Sequence, residues 1–420
     1  MVASNERSFF AAIEPGYMIV APRGWVADVA PLEAAQKAAG KAMLEALAAR
    51  LAHRLGDEFV VRGARVFDSE HATLSGPQDV YIHDGRIAAL YPAGSRASAP
   101  MPSIDGSGRV LLPGLFDMHT HESAWNVLLD LAAGVTTVRD MGNDNRTLAG
   151  LAQDIEAGRL AGPRIVAAGF IEGDSPHAAR ADFVVKDLER GVRGAERVAR
   201  ARLDACLRLP VIEHELGDDH GDAVRAGYDE LQHINQVMLN FLVTPETDTR
   251  TLARFYLIGE RAADIDLDSP PEQEFLRLLK ERGTTLDLTL ATFEYMFQQA
   301  KGQPNPTFGM IADHVPASLA RAWATNTMDI PPEKVARYAA GYDKLLAFAG
   351  RAFEMGIPIL AGTDDIGGFT LHRELELEVK AGIPPAEALR IATRNGARVL
   401  GRWPQAGRVA RAQHSALTEG

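Results

Sequence analysis

From Val110 to about Leu400, short apolar runs alternate with longer stretches in which apolar residues recur at helical spacing. This is the pattern of strand–helix repeats that build a parallel sheet. Strands are expected at Leu115–His121, Val135–Met141, Pro163–Phe170, Pro210–Glu215, Tyr228–Asn235, Thr284–Phe293 and Pro358–Asp364, seven in all. Between them helices are expected over Ser123–Ala133, Arg146–Arg159, Pro271–Arg282, Leu371–Ala381 and, at the end, Pro384–Leu400. A TIM-like (β/α)8 barrel needs an eighth strand, and its place lies between Phe170 and Pro210, where Phe183–Leu188 precedes an Arg/Ala-rich, helix-like stretch. The expected fold class is therefore α/β, a barrel incomplete at strand four.

Upstream the pattern changes. Pro31–Leu55 carries Leu44, Leu47, Leu51 and Leu55 as one stripe of an amphipathic helix, closed by Gly56 and expected to be packing surface. Phe59–Leu112 reads as β structure, with Asp84-Gly85 between apolar runs as a hairpin signal. The expected organisation is an arm and helix over 1–58, a small β-sandwich part over 59–109, the barrel over 110–401 and an irregular tail over 402–420.

Composition narrows the partners. A net charge of −12 argues against nucleic acid or an anionic membrane surface. No run of eighteen apolar residues is present, so no membrane span is expected. Cys206 is the only cysteine, which excludes an internal disulfide and points to a reducing, cytoplasmic compartment. A small-molecule substrate, with self-association left open, is the expectation.

The candidate chemistry sits where barrel enzymes keep it, at the carboxyl ends of strands. Period-two geometry puts Asp117, His119 and His121 on one strand face, and two imidazoles there can share one metal ion. His214, His233 and Asp364 close three later strands. His220 lies in a polar turn, Asp365 is expected to face away from Asp364, and His71 and His83 read as surface residues.

Pro113-Gly114-Leu115-Phe116-Asp117-Met118-His119-Thr120-His121 resembles the signature of the metal-dependent amidohydrolase superfamily. Ala226–His233 and Ala361–Asp364 resemble its strand-six and strand-eight segments, and Gln232–Asn235 with Leu371–Glu376 resemble the imidazolonepropionase and Xaa-Pro dipeptidase-like branch. The resemblance implies one or two divalent ions, zinc foremost. His119, His121 and Asp364 would hold one ion, His214 and His233 a second, and Asp364 would serve as the proton carrier in hydrolysis of an amide, cyclic amide or dipeptide C–N bond. Such centres bridge their ions through a strand-four lysine or glutamate. Lys186 is the lysine available, in a Val-Val-Lys context that runs on like a helix start, with Glu172 the substitute. The tail departs from the family as well: Arg402–Gly420 has no Ala-Asp-Leu-Val type strand to complete the sandwich and cover the edge of its sheet. Two further readings follow: a mononuclear deaminase of a cyclic amidine, with Glu213 or Glu215 beside His214, and a truncated or frame-shifted, catalytically impaired amidohydrolase.

Overall fold

The computed structural model describes residues 2–3, 9–14, 18–25, 28–51, 55–96, 100–168, 171–173, 183–185, 212–213, 221, 224–225, 227–244, 247, 251–298, 302, 305–315, 317–325 and 328–411. A short antiparallel sheet, β1 (Val2–Ala3), β2 (Phe9–Glu14) and β3 (Met18–Val20), precedes helix α1 (Val29–Leu51). The leucine stripe of this helix is only partly buried. Leu44 packs with Val127 and Leu160, whereas Leu51 is 59% exposed and the helix stops before Leu55.

A mixed sheet follows: β4 (Glu58–Asp68), β5 (Thr73–His83) and β6 (Arg86–Pro92) pair antiparallel, while β7 (Ser103–Asp105) and β8 (Val110–Leu111) run parallel to β4. Asp84 and Gly85 both adopt positive φ, 48° and 66°, as a tight hairpin turn requires. Phe59, Val61, Val66, Val80, Ile82 and Ile87 form the core of this sheet. The described part of the tail adds no strand, yet it is tied down. Val409 packs against that core, and the Ser69 hydroxyl donates to the Gly407 carbonyl at 2.6 Å.

The parallel strands form two arcs. β9 (Leu115–Thr120), β10 (Val135–Asp140) and β11 (Arg164–Ala167) make the first. After the parallel pair β12 (Ile171–Gly173) and β13 (Phe183–Val185), the strands β14 (Ile212–Glu213), β15 (Glu230–Gln232), β16 (Thr285–Asp287) and β17 (Ile359–Leu360) make the second. β13 is the Phe183 run noted in the sequence window that lacked a clear strand. The arcs meet where Met118 N–H donates to the Ala361 carbonyl and Asp364 N–H to the His119 carbonyl, both at 2.8 Å. First and last strands are thus neighbours.

Helices pack outside the arcs. α2 (Asn126–Ala132) and α3 (Asn145–Glu156) serve the first, and α4 (Ile234–Leu239), α5 (Ala253–Arg261), α6 (Pro270–Arg282), α7 (Leu290–Phe297), α8 (Ala317–Trp323), α9 (Val335–Glu354) and α10 (Phe369–Lys380) follow in the second. Phe275, Leu276 and Leu279 of α6 and Tyr338, Tyr342, Leu345 and Phe348 of α9 bury against Leu231, Leu286 and Ile359 in one large core. Gly283, at φ 69°, ends α6 in the left-handed conformation that favours glycine.

One expected element divides. Thr284–Phe293 reads as a single strand, but only Thr285–Asp287 is extended and Leu290–Phe297 is helical. Thr289, at φ 48°, turns the chain, and the Glu374 carboxylate accepts from Leu290 N–H at 2.9 Å and Ala291 N–H at 2.7 Å. A buried acceptor from α10 thereby satisfies the orphan donors of the helix start. Among the described residues no helix is long and apolar enough to cross a membrane.

Candidate metal centre

Every residue of β9 is buried, because both faces of this strand are covered. Asp117 does not reach the centre. Its carboxylate accepts from Thr363 N–H (3.1 Å) and Thr363 Oγ1 (2.8 Å), fastening β17's continuation to β9, and burial pushes its pKa up to about 7.

His119, His121 and His233 converge on one carboxylate. Asp364 Oδ1 lies 3.0 Å from His121 Nε2 and 3.6 Å from His119 Nε2, and Oδ2 lies 3.9 Å from His233 Nε2. The His119 and His233 rings stand 4.6 Å apart, and Phe293 sets its edge against His233 at 5.9 Å. In each imidazole the other nitrogen is held by the protein: His121 Nδ1 by the Gly142 carbonyl at 2.7 Å, His233 Nδ1 by Thr289 Oγ1 at 2.9 Å, and His119 Nδ1 by Gln232 Oε1. This is how metal-ligating histidines are oriented, with Nδ1 engaged and Nε2 directed inward.

The backbone does unusual things here. His233 and Asp364 have φ of 64° and 49°, values that non-glycine residues rarely adopt. Strain of this kind collects at functional sites.

Electrostatics follow from the geometry. Burial opposes ionisation of Asp364, but the surrounding charges of His119, His233 and His121 and the His121 hydrogen bond outweigh it and hold its carboxyl well below the usual carboxylate range. Burial lowers the pKa of His121, while the Asp364 hydrogen bond and charge raise it further, to about 9. Burial likewise opposes the charge on His119, and Asp364 and Asp287 raise its pKa.

Among the described residues, His119, His121 and Asp364 offer donor atoms that all lie within 4.8 Å of one another, a set able to hold a metal ion. Two imidazole nitrogens and a carboxylate oxygen suit zinc and its first-row neighbours. His233 stands beside this set, while His214 and Lys186 lie outside the described residues. Asp365, expected to face away, is partly buried with its pKa pushed up to about 7, and its carboxylate accepts from Ile366 N–H at 2.7 Å. His372 bonds the Ala133 carbonyl at 2.7 Å and so joins α10 to the end of α2.

Sequence reasoning missed Gln232, Thr289, Asp287, Glu230 and Arg139, all buried around the histidines. The signal for two of them was present. Glu230 and Gln232 share one face of a strand by period-two alternation directly before His233.

No protein-family model matches the chain. An adenine deaminase of Chelativorans sp. (strain BNC1) is 37% identical over 68 residues, which are 16% of this chain and 11% of that protein. Bottromycin amidohydrolase superposes with a TM-score of 0.61 at 21% identity, over 87% of this chain and 82% of its own. The chain shares its overall fold with that protein. A Xaa-Pro dipeptidase with bound methionine superposes with a TM-score of 0.59 at 18% identity, over 85% of this chain and 92% of the other. Of the four convergent side chains, His119 and His121 stand at the end of β9, His233 directly follows β15, and Asp364 lies in the continuation of β17.

Proposed function

We propose that this chain is a metal-dependent hydrolase of small C–N substrates, an amide, cyclic amide or dipeptide. The observation that carries the reading is the convergence of His119, His121 and His233 on the Asp364 carboxylate at 3.0–3.9 Å. The two arcs, of three and four strands, together with β13 between them in the chain, are read as one eight-stranded (β/α)8 barrel, since β9 bonds to β17's continuation as first strand to last.

His119, His121 and Asp364 would hold one divalent ion, most simply zinc, and His233 would hold a second together with His214. A divalent ion held there supplies Lewis acidity and lowers the pKa of a water to about 7. Asp364, kept ionised by its three imidazoles, is the base that takes a proton and returns it to the leaving nitrogen. Phe293, packed against the His233 ring with centroids 5.9 Å apart, would help hold that ring in place. The single Cys206 and the net charge of −12 suit a cytoplasmic enzyme with a small-molecule substrate rather than a nucleic-acid or membrane binder.

A second reading, a mononuclear deaminase of a cyclic amidine, is favoured by the short match to an adenine deaminase. Metal analysis of the purified chain with assays on dipeptides, N-acyl amino acids and purines separates the two. About two ions per chain with amide or dipeptide cleavage supports the first, and one ion with ammonia release from a purine supports the second. Asp364→Asn and His119→Ala should each abolish whichever activity is found. Activity surviving either change, or a chain that takes up no metal, refutes the centre.

A further inference from the structure

Behind His119 lies a buried polar chain that crosses from β10 to β15. Arg139, Glu230, Gln232 and His119 are each at most 2% exposed. The Arg139 guanidinium donates through Nη1 to Glu230 Oε2 at 2.9 Å and through Nη2 to Glu230 Oε1, while its Nε donates to the Met118 carbonyl at 2.7 Å. Gln232 Nε2 donates to Glu230 Oε1, and Gln232 Oε1 meets His119 Nδ1. Asp287 Oδ2 stands 3.7 Å from the same His119 nitrogen and 3.3 Å from Arg139 Nη2, so for His119 it acts by charge rather than by a hydrogen bond.

The direction of every proton in this chain is forced from one end. A guanidinium only donates, and an ionised carboxylate only accepts. Facing Glu230, Gln232 must therefore present its NH2 group, which leaves its carbonyl oxygen toward His119. That oxygen accepts, so the neutral His119 ring must carry its hydrogen on Nδ1. Its Nε2 then holds the lone pair and points at Asp364.

We propose that Gln232, set by the Arg139–Glu230 pair, is the positioning residue that selects the metal-binding tautomer of His119. The inference rests on the metal reading above. Its chemistry is a polarity relay: the fixed charge of Arg139 on one strand decides which nitrogen of His119 on the neighbouring strand is a ligand. The relay also explains why a buried charge pair is kept in the barrel interior. A pair of well-packed apolar residues would be no less stable, but it would leave the Gln232 amide free to turn over.

The test uses three variants of the full chain. In Glu230→Gln, the amide oxygen at the Oε1 position still accepts from both Arg139 Nη2 and Gln232 Nε2, with its NH2 group left facing Arg139 Nη1. Gln232 then keeps its orientation and the tautomer of His119 is retained. In Gln232→Glu, two carboxylates face each other. In the double variant Glu230→Gln/Gln232→Glu, the amide at 230 accepts a hydrogen bond from Arg139 through its oxygen and donates one through its NH2 to the carboxylate at 232, which again accepts from His119. The relay is restored with the same net charge.

Zinc affinity by chelator competition should fall about 10–100-fold in Gln232→Glu, as for other groups that orient a ligand, and stay within about threefold of the parent in Glu230→Gln and in the double. A Gln232→Glu variant that binds zinc like the parent, or a double variant no tighter than it, overturns the proposal. A Gln232→Glu variant that does not fold while the double does supports it, since the same polarity then governs folding.

The second readout needs no metal. A long-range proton–nitrogen spectrum of the metal-free parent at about pH 10, above the usual imidazole range, with His119 assigned by its loss in His119→Ala, should place the ring hydrogen on Nδ1. In Glu230→Gln it should stay there. A hydrogen on Nε2 in the parent overturns the relay whether or not zinc binds. A parent that binds no zinc but carries the Nδ1 tautomer refutes the metal reading and leaves the relay standing.

Discussion

Gly362 is where a single methyl group should do the most damage to the centre for the least damage to the fold. A Cβ built on it would lie 2.3 Å from Asp287 Oδ1 and 2.6 Å from the His119 Cβ. Neither neighbour is the free end of a flexible side chain, because both are buried on strands of the sheet. Relief needs His119 or Asp287 to move by several tenths of an ångström. Overpacking of this kind costs about 1–3 kcal/mol. At about 2.1 cal/mol/K of unfolding entropy per residue, a chain of 420 residues should lose only about 1–3 °C of Tm. Metal affinity should fall much further, because a displaced His119 ring no longer aims Nε2 at Asp364. Gly350→Ala is the control: its Cβ would lie 2.1 Å from the Ala381 carbonyl oxygen, a clash at least as severe and between helices. The measurements are thermal melts of the metal-free proteins and zinc affinity by chelator competition. Equal zinc affinity in Gly362→Ala and the parent, or an equal loss in both glycine variants, would refute the argument that this backbone contact sets the ligand geometry.

Two other predictions concern stability. His121 has its pKa raised from 6.5 to about 9, so its contribution to the metal-free protein is fully present below about pH 6.5 and is lost as pH rises through about 9; its ring is 45% exposed, which softens the change. Asp364 is shifted the other way, and its contribution, present above about pH 4, is lost as pH falls. Melts across pH should therefore show the metal-free Tm declining on the alkaline side, and a metal ion, which takes the place of the proton on His121, should remove that decline; the same decline with metal bound counts against the site. Glu374→Ala should destabilise by about 2–6 kcal/mol, since two buried N–H groups lose their acceptor. That corresponds to a Tm loss of roughly 2–7 °C, with a smaller loss in Glu374→Gln, whose amide oxygen keeps one of the bonds with Leu290 and Ala291. Equal Tm values for the parent and both variants would remove the cap from the account.

Strand identity and strand ends were legible in the sequence wherever a polar ligand type followed an apolar run. His119, His233 and Asp364 stood out because each closes a run expected to be a strand end at the mouth of a parallel sheet, where side chains that bind metal collect. The helix at Leu290 was not legible, because its start depends on Glu374, a residue more than eighty positions later in the chain. Apolar runs of this length suit a buried strand and a buried helix equally, and only a cap from a distant element separates them. The relay was hidden for a similar reason. Arg139 in Val-Thr-Thr-Val-Arg-Asp looks like a misplaced charge until Glu230 is brought across from another strand.

His233 and Asp364, both non-glycine residues with positive φ, show how such an arrangement is kept. Left-handed backbone costs of order 1–3 kcal/mol at each position, and it persists only if the flanking residues leave no alternative. Asp364 is fixed on both sides of its peptide plane: its N–H donates to the His119 carbonyl at 2.8 Å, and its own carbonyl accepts from Thr292 Oγ1 at 2.9 Å. His233 N–H donates to the Asp287 carbonyl at 2.8 Å, and Thr289, itself at positive φ, holds the ring. These partners belong to β9, to β16 and the turn after it, and to the first turn of α7. The distances among His119, His233 and Asp364 are therefore set by strand pairing and not by the longer connections, so substitutions in the loops beyond Tyr295 should alter what is bound before they alter whether metal is held.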